Sequence, residues 1–170
     1  ELEWSVTFAG SLEREPAYAS RVVAATAALG GRGRFAGPLV GAELDACYAG
    51  ADLVVLPSHA ETYGMVVTEA LARGVPVVAT EVGGVPEALG WVPAGGAERV
   101  RPGLLVPPGD PGALAGALRR WLESPDLRDR LRAAARARRS TLDGWDATGR
   151  ALDAVLRALC GGSARSKEAS

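Results

Sequence analysis

Apolar and polar positions alternate at the start of the chain. Trp4, Val6 and Phe8 interleave with Ser5, Thr7 and Ala9, the period-two signature of a β-strand. Gly10-Ser11 ends that run. Pro16 then stands at a first helical position, and the Ala-rich stretch to about Leu29 predicts a helix stopped by Gly30-Gly31. A short strand around Arg34-Phe35-Ala36 leads into the turn Gly37-Pro38. Leu44, Cys47 and Tyr48 mark one face of a helix over roughly 42–49. The segment Asp52-Leu53-Val54-Val55-Leu56 is continuously apolar after its first residue, which predicts a strand buried on both faces.

The second half repeats the rhythm. A turn and a helix to about Arg73 precede Gly74, and Val75-Pro76-Val77-Val78-Ala79 reads as another buried strand. Gly83-Gly84 breaks the chain before a short helix opening at Val85-Pro86-Glu87-Ala88-Leu89, and residues 91–102, rich in Gly and Pro, read as a loop. Leu104-Leu105-Val106 is the last predicted strand. Asp110 and Pro111 form an N-cap and first turn for a helix to about Leu122, and Ser124-Pro125 starts one over 126–139. A final helix is expected from Asp143 or Gly144 to Leu159, with the tail 161–170 disordered. Strands alternating with helices, without a hairpin signal, predict an α/β fold with a parallel, doubly wound sheet. Its short βα turns gather functional loops at one edge.

Composition narrows the field. The chain has 170 residues, 48% hydrophobic but only 5% aromatic, so Ala, Val and Leu must fill a single core. Nineteen basic residues nearly cancel twenty acidic ones, for a net charge of −1. No global field recruits nucleic acid, and no aromatic-basic interleaving provides base stacking. Cys47 and Cys160 match no metal-ligand spacing and read as free thiols in a reducing cytoplasm. No apolar run is long enough to span a bilayer. Glu1-Leu2-Glu3 runs straight into a strand without an initiator Met, so the chain is expected to be part of a longer protein.

The chemistry concentrates between Pro57 and Leu71. After the strand ending at Leu56 comes a turn with Glu61, then Tyr63-Gly64, then a helix carrying Glu69 eight positions further on. Two glutamates at that spacing arise by chance; the context makes them informative. At the C-terminal edge of a parallel sheet they stand beside a helix N-terminus, suiting a ligand with both hydroxyls and phosphate. His59, the sole histidine, is a weak candidate base. Glu87 is expected to favour a helix N-terminus electrostatically. Gly83-Gly84 serves either as an amide donor to a ligand or as a plain turn. The run Arg128, Arg130, Arg132, Arg136, Arg138 and Arg139 reads first as a solvated helix face, with anionic lipid headgroups as the sharper alternative.

Taken together, Phe35-Ala36-Gly37, Leu44 with Tyr48, Ala51 to Ser58, the Glu61–Glu69 pair, Gly83-Gly84-Val85-Pro86-Glu87 and Gly103 to Asp110 carry a resemblance. The chain resembles the C-terminal, nucleotide-sugar-binding domain of a retaining glycosyltransferase of family 4 (glycosyltransferase group 1). The motifs keep that family's order and spacing over about residues 4–123. The resemblance implies the C-terminal half of a GT-B fold, a Rossmann-like parallel sheet flanked by helices, over residues 1–160. It implies that Glu69 accepts hydrogen bonds from the donor's ribose hydroxyls, a charge-assisted bidentate arrangement. Glu61 would contact the transferred sugar and is the catalytic candidate, as a positioning group and not a covalent nucleophile. Thr62, Tyr63, Gly64 and Met65 would complete the donor-binding turn, with Gly64 allowing close backbone approach. The implied reaction is metal-independent, needs no cofactor beyond the nucleoside-diphosphate sugar, and proceeds on the front face through an ion-pair-like transition state. Base contacts are expected near Phe35 to Gly37. Trp145 would anchor the C-terminal segment.

Two departures from the family qualify the picture. Its domain opens with a βα unit bearing an Arg and a Lys that neutralise the diphosphate. The strand from Trp4 to Ala9 matches the family's second strand, so the first βα unit is lacking, and Arg14 does not replace the pair. The N-terminal acceptor domain is the second missing part and the expected partner. The chain alone is therefore expected to be inactive. It is expected to be cytoplasmic, with peripheral contact at the inner membrane surface as the role of the Arg-rich helix. Rival readings are a sugar-nucleotide epimerase half-domain, which the Glu61–Glu69 context disfavours, and a non-catalytic nucleotide- or protein-binding module. A dinucleotide-binding module ranks last, because no strand-following turn carries Gly-x-Gly-x-x-Gly.

Overall fold

A computed structural model describes residues 2–142, 144, 147, 149–150 and 152–157. Strand β1 (Val6–Ala9) leads to helix α1 (Pro16–Ala27), β2 (Gly33–Gly37), α2 (Gly41–Ala49), β3 (Val54–Leu56), α3 (Met65–Ala72), β4 (Val77–Thr80) and α4 (Val85–Leu89). Then come β5 (Val92–Gly95), β6 (Glu98–Val100), β7 (Gly103–Val106), α5 (Pro111–Glu123) and α6 (Pro125–Arg139). The capping signals act as the sequence predicts. Pro16, Pro111 and Pro125 each open a helix. The Asp110 carboxylate accepts the Ala113 amide at 2.8 Å, and the Ser124 hydroxyl accepts that of Leu127 at 3.2 Å, each satisfying a first-turn donor.

The fold is α/β with parallel strands flanked by helices, as expected, but its parallel ladder is in two pieces. One sheet pairs β1 with β2; the other runs β3-β4-β7, all parallel. A doubly wound sheet in the order 3-2-1-4-5-6 places its first strand between the second and the fourth. The resemblance expects such a first strand ahead of β1, and the ladder breaks between β1 and β3.

That break explains one correction. The segment Asp52 to Leu56 is not buried on both faces: Val55 is 36% exposed, because β3 lies at an edge of its sheet. Central β4 is buried throughout. Its alternating side chains serve two cores, Val77 and Ala79 packing with α3 and α4, and Val78 packing with Val106 and Ala117. Each fully buried valine contributes about 1.5–3 kcal/mol relative to exposure. Trp121, Leu127 and Leu131 bind α5 to α6.

A second correction concerns residues 91–102, which are not a loop. Strands β5 and β6 form an antiparallel hairpin, with Gly95 and Gly96 at positive φ. A Gly-Gly pair is itself a hairpin signal; the prolines around it masked the short strands. In the β1–α1–β2 unit, Phe8 stacks on Phe35 with centroids 4.8 Å apart. Among α1 residues only Thr26 is buried. Residues 152–157 are helical, within the expected last helix; Asp143, Trp145, Cys160 and the tail 161–170 lie outside the described residues.

Candidate functional site

The parallel ladder brings three loops to one edge. Those following β3, β4 and β7 all leave the C-terminal ends of neighbouring strands, where open α/β sheets bind ligands. Two hydrogen bonds lock them together. Buried Thr80, the last residue of β4, donates its hydroxyl to the Ser58 carbonyl at 2.6 Å. The Glu81 amide donates to the Val106 carbonyl at 2.8 Å.

The loop after β3 holds most of the predicted residues in one turn. Gly64 sits at the N-cap of α3 with φ 89° and ψ 50°, the left-handed region, where a side chain is strained. Its carbonyl accepts the amides of Val67 and Thr68, at 2.9 and 3.3 Å. No side chain caps α3, so the remaining first-turn amides, at Met65 and Val66, have no intrahelical acceptor. The helix dipole adds partial positive charge there. Tyr63, Met65 and Val66 are exposed around that end. The Glu61 carboxylate accepts the Thr62 amide at 3.2 Å, holding the side chain back along its own turn.

Gly83-Gly84 is a turn that packs tightly against the Glu61 turn. Gly83 has φ 48°, and a Cβ there would lie 1.7 Å from the Glu61 carbonyl oxygen. A Cβ on Gly84 would lie 2.7 Å from that of Thr62. The Gly84 amide donates to the Thr62 carbonyl at 3.0 Å, so it is occupied within the protein. The two glycines let the loop after β4 press, backbone to backbone, against Glu61 and Thr62. Gly64 meets the same element, since a Cβ there would lie 3.3 Å from Val85 Cγ2.

Glu69, in the second turn of α3, has a partner from α2. The Tyr48 hydroxyl donates to Glu69 Oε2 at 3.0 Å. Arg73 lies over the Tyr48 ring, 4.6 Å from its centroid, donates to the Glu69 carbonyl at 3.0 Å, and pairs with Asp45. Burial first, then the hydrogen bond to Glu69 and that carboxylate's charge, push the Tyr48 phenol well above its ordinary value. The folded state therefore keeps a proton that the unfolded chain loses near pH 10, and stability falls as pH rises past that point. Urea midpoints followed from roughly pH 8 to pH 11 should drop faster for the wild type than for Tyr48→Phe, which has no phenol to titrate. Equal slopes would remove the Tyr48 contribution.

Other sequence candidates lie apart from this arrangement or are already engaged. His59 and Arg14 are exposed, and Glu87 is in the first turn of α4, as expected. Three of the six arginines around α6 have hydrogen-bond partners for their guanidinium groups. Arg128 donates to the carbonyls of Trp121 and Leu122, and Arg132 to Asp52 and over the Trp121 ring. Arg136 lies along Gly74, and Arg138 donates to Thr141. Arg130, Arg136 and Arg139 are exposed.

Sequence reading missed the Tyr48–Glu69 bond and the Thr80 tie. A signal existed for the first: a tyrosine on a core-facing stripe must find a partner for its hydroxyl. For Thr80, nothing local distinguished it from the valines before it.

With this geometry in place, comparison with known proteins is informative. Residues 2–138 match the family profile described as Glycosyl transferases group 1. A D-inositol 3-phosphate glycosyltransferase of Kineococcus radiotolerans is 44% identical over 124 residues, covering 73% of this chain and 28% of that protein. Among solved structures, sucrose-phosphate synthase from Thermosynechococcus elongatus superposes with TM-score 0.75 at 32% identity, over 92% of this chain and 38% of that one. HepE from Anabaena, in complex with UDP-glucose, superposes with TM-score 0.73 at 25% identity, over 91% and 41%. The chain thus spans well under half the length of these relatives. It has the architecture of one half of a GT-B enzyme, and it belongs to the group 1 glycosyl transferases.

Proposed function

We propose that residues 1–160 form the donor-binding domain of a two-domain, metal-independent, retaining glycosyltransferase, which moves a sugar from a nucleoside diphosphate to an acceptor hydroxyl. The observation that carries this reading is the convergence of the Glu61–Met65 turn and the Gly83–Gly84 turn at the C-terminal ends of adjacent parallel strands. In support, a similar domain occurs in HepE, crystallised with UDP-glucose.

In this reading each residue has a distinct task. Glu69 accepts the two ribose hydroxyls of the donor. Glu61 positions the sugar, and the exposed Tyr63 and Met65 line its approach. The open amides at the start of α3 face developing charge on the leaving diphosphate, fixed dipoles that need no reorganisation. The N-terminal acceptor domain supplies the other wall of the cleft, the nucleophile's seat and the exclusion of water. In this reading the protein works in the cytoplasm, and the exposed Arg130, Arg136 and Arg139 are the basic groups available for contact with anionic lipid at the inner membrane surface.

Two experiments test the reading. Titration of UDP, GDP and ADP into the chain should identify one preferred base. Glu69→Ala should weaken that ligand about tenfold or more, the scale of a lost charge-assisted hydrogen bond. Unchanged affinity would make the ribose assignment wrong. Separately, the purified chain should transfer no sugar from a donor to a simple acceptor, and robust turnover would sink the half-site reading.

A further inference from the structure

We infer that Tyr48 is a positioning residue for donor binding, acting through Glu69, and that the Tyr48–Arg73–Asp45 cluster sets which carboxylate oxygen meets the ligand. The inference rests on the reading of Glu69 as the ribose contact. It adds a residue from a different helix, α2, that the motif around Glu61 and Glu69 does not contain.

A glutamate side chain has three rotatable torsions, and on a half-exposed helix face it samples several rotamers. Glu69 is only partly buried, so packing alone does not fix it. The Tyr48 hydroxyl does, by donating to Oε2 at 3.0 Å. A carboxylate has about four lone-pair sites, so this bond leaves one lone pair on Oε2 and both on Oε1 for ligand hydroxyls. The ordering cost is then met before the ligand arrives, which is how preorganisation raises affinity.

Tyr48 is itself over-determined. Tyr48 is 8% exposed and belongs to the main core with Leu71 and Val67. Arg73 closes over the ring at 4.6 Å and is held by Asp45 through Nε at 3.2 Å. The same guanidinium donates to the Glu69 backbone carbonyl at 3.0 Å. One arginine thus ties the backbone of Glu69 while one tyrosine ties its side chain. The tyrosine offers only a donor to Glu69, and burial keeps that donor from exchanging its partner for water.

The test separates positioning from packing. Tyr48→Phe keeps the ring, the core contacts and the Arg73 stacking, and removes only the hydroxyl. By NMR titration to roughly millimolar ligand, the range in which weak sites are read, Tyr48→Phe should weaken UDP about three- to tenfold, as for a single net hydrogen bond. It should leave 2′,3′-dideoxy-UDP, which lacks the hydroxyls Glu69 would meet, unchanged. In a Glu69→Ala background the same change should have no further effect, the non-additivity of residues acting through one another. Equal weakening of both ligands, or full additivity with Glu69→Ala, would mean Tyr48 is only structural and overturn the inference. Failure of Glu69→Ala alone to weaken UDP would instead strike the ribose reading. Independently of any ligand, the Tyr48 hydroxyl proton should exchange slowly in the wild type and quickly in Glu69→Ala. Identical exchange would deny the bond itself.

Discussion

Gly83→Ala is expected to abolish measurable nucleotide binding and to lower stability by about 2–4 kcal/mol. Two effects add. The residue sits at φ 48°, where an L side chain is strained. Its new Cβ would also lie 1.7 Å from the Glu61 carbonyl oxygen, a backbone atom that cannot swing aside as a flexible side chain would. Relief requires the loop carrying Glu61 and Thr62 to part from the Gly83–Gly84 turn, which dismantles the convergence on which the site is built. Urea denaturation reads the first effect and ligand titration the second. Gly116→Ala is the control. Gly116 is an exposed helical glycine with nothing within 4 Å of its Cβ position, so the change should stabilise by about 0.5–1 kcal/mol. If Gly83→Ala matched that control, the close approach would carry no energetic weight.

Leu71→Ala should cost about 2–5 kcal/mol, the range for a fully buried leucine whose cavity closes only partly. Leu71 is 0% exposed and packs in the main core with Val67, Val85 and Leu89. Unlike the glycine change, it should lower ligand affinity only slightly wherever the protein stays folded, through the core it shares with Tyr48. Leu71 and Glu69 are two positions apart on α3, about 200° around the helix, so the cavity opens on the face away from the carboxylate. Measuring both stability and affinity for the pair of variants distinguishes the helix as a structural prop from the helix as a ligand platform. A large affinity loss in Leu71→Ala would show that core packing and the carboxylate are coupled through the helix.

Much of this architecture was legible in the chain. Proline and cap residues marked the starts of α1, α5 and α6 because their chemistry is local: a missing N–H, a fixed φ, a short side chain reaching its own backbone. The strands with strong apolar runs were equally clear, and so was the order of elements that implies parallel pairing. Edge position was not. Asp52 to Leu56 reads like a central strand, since its side chains are apolar whichever neighbours its backbone finds. The hairpin β5–β6 was hidden by its prolines and by the shortness of its strands.

The division is sharper at the site itself. The sequence by itself determined the family, the turn carrying Glu61 to Met65, and Glu69 on the helix that follows. All of these are written in contiguous residues whose spacing is read directly. Only the tertiary structure decided how Gly83 and Gly84 serve that turn, and that Tyr48 holds the Glu69 side chain from another helix. Those are contacts between residues some twenty positions apart in the chain, created when βα units stack side by side, and no local pattern encodes which partner a buried hydroxyl or a missing Cβ will meet.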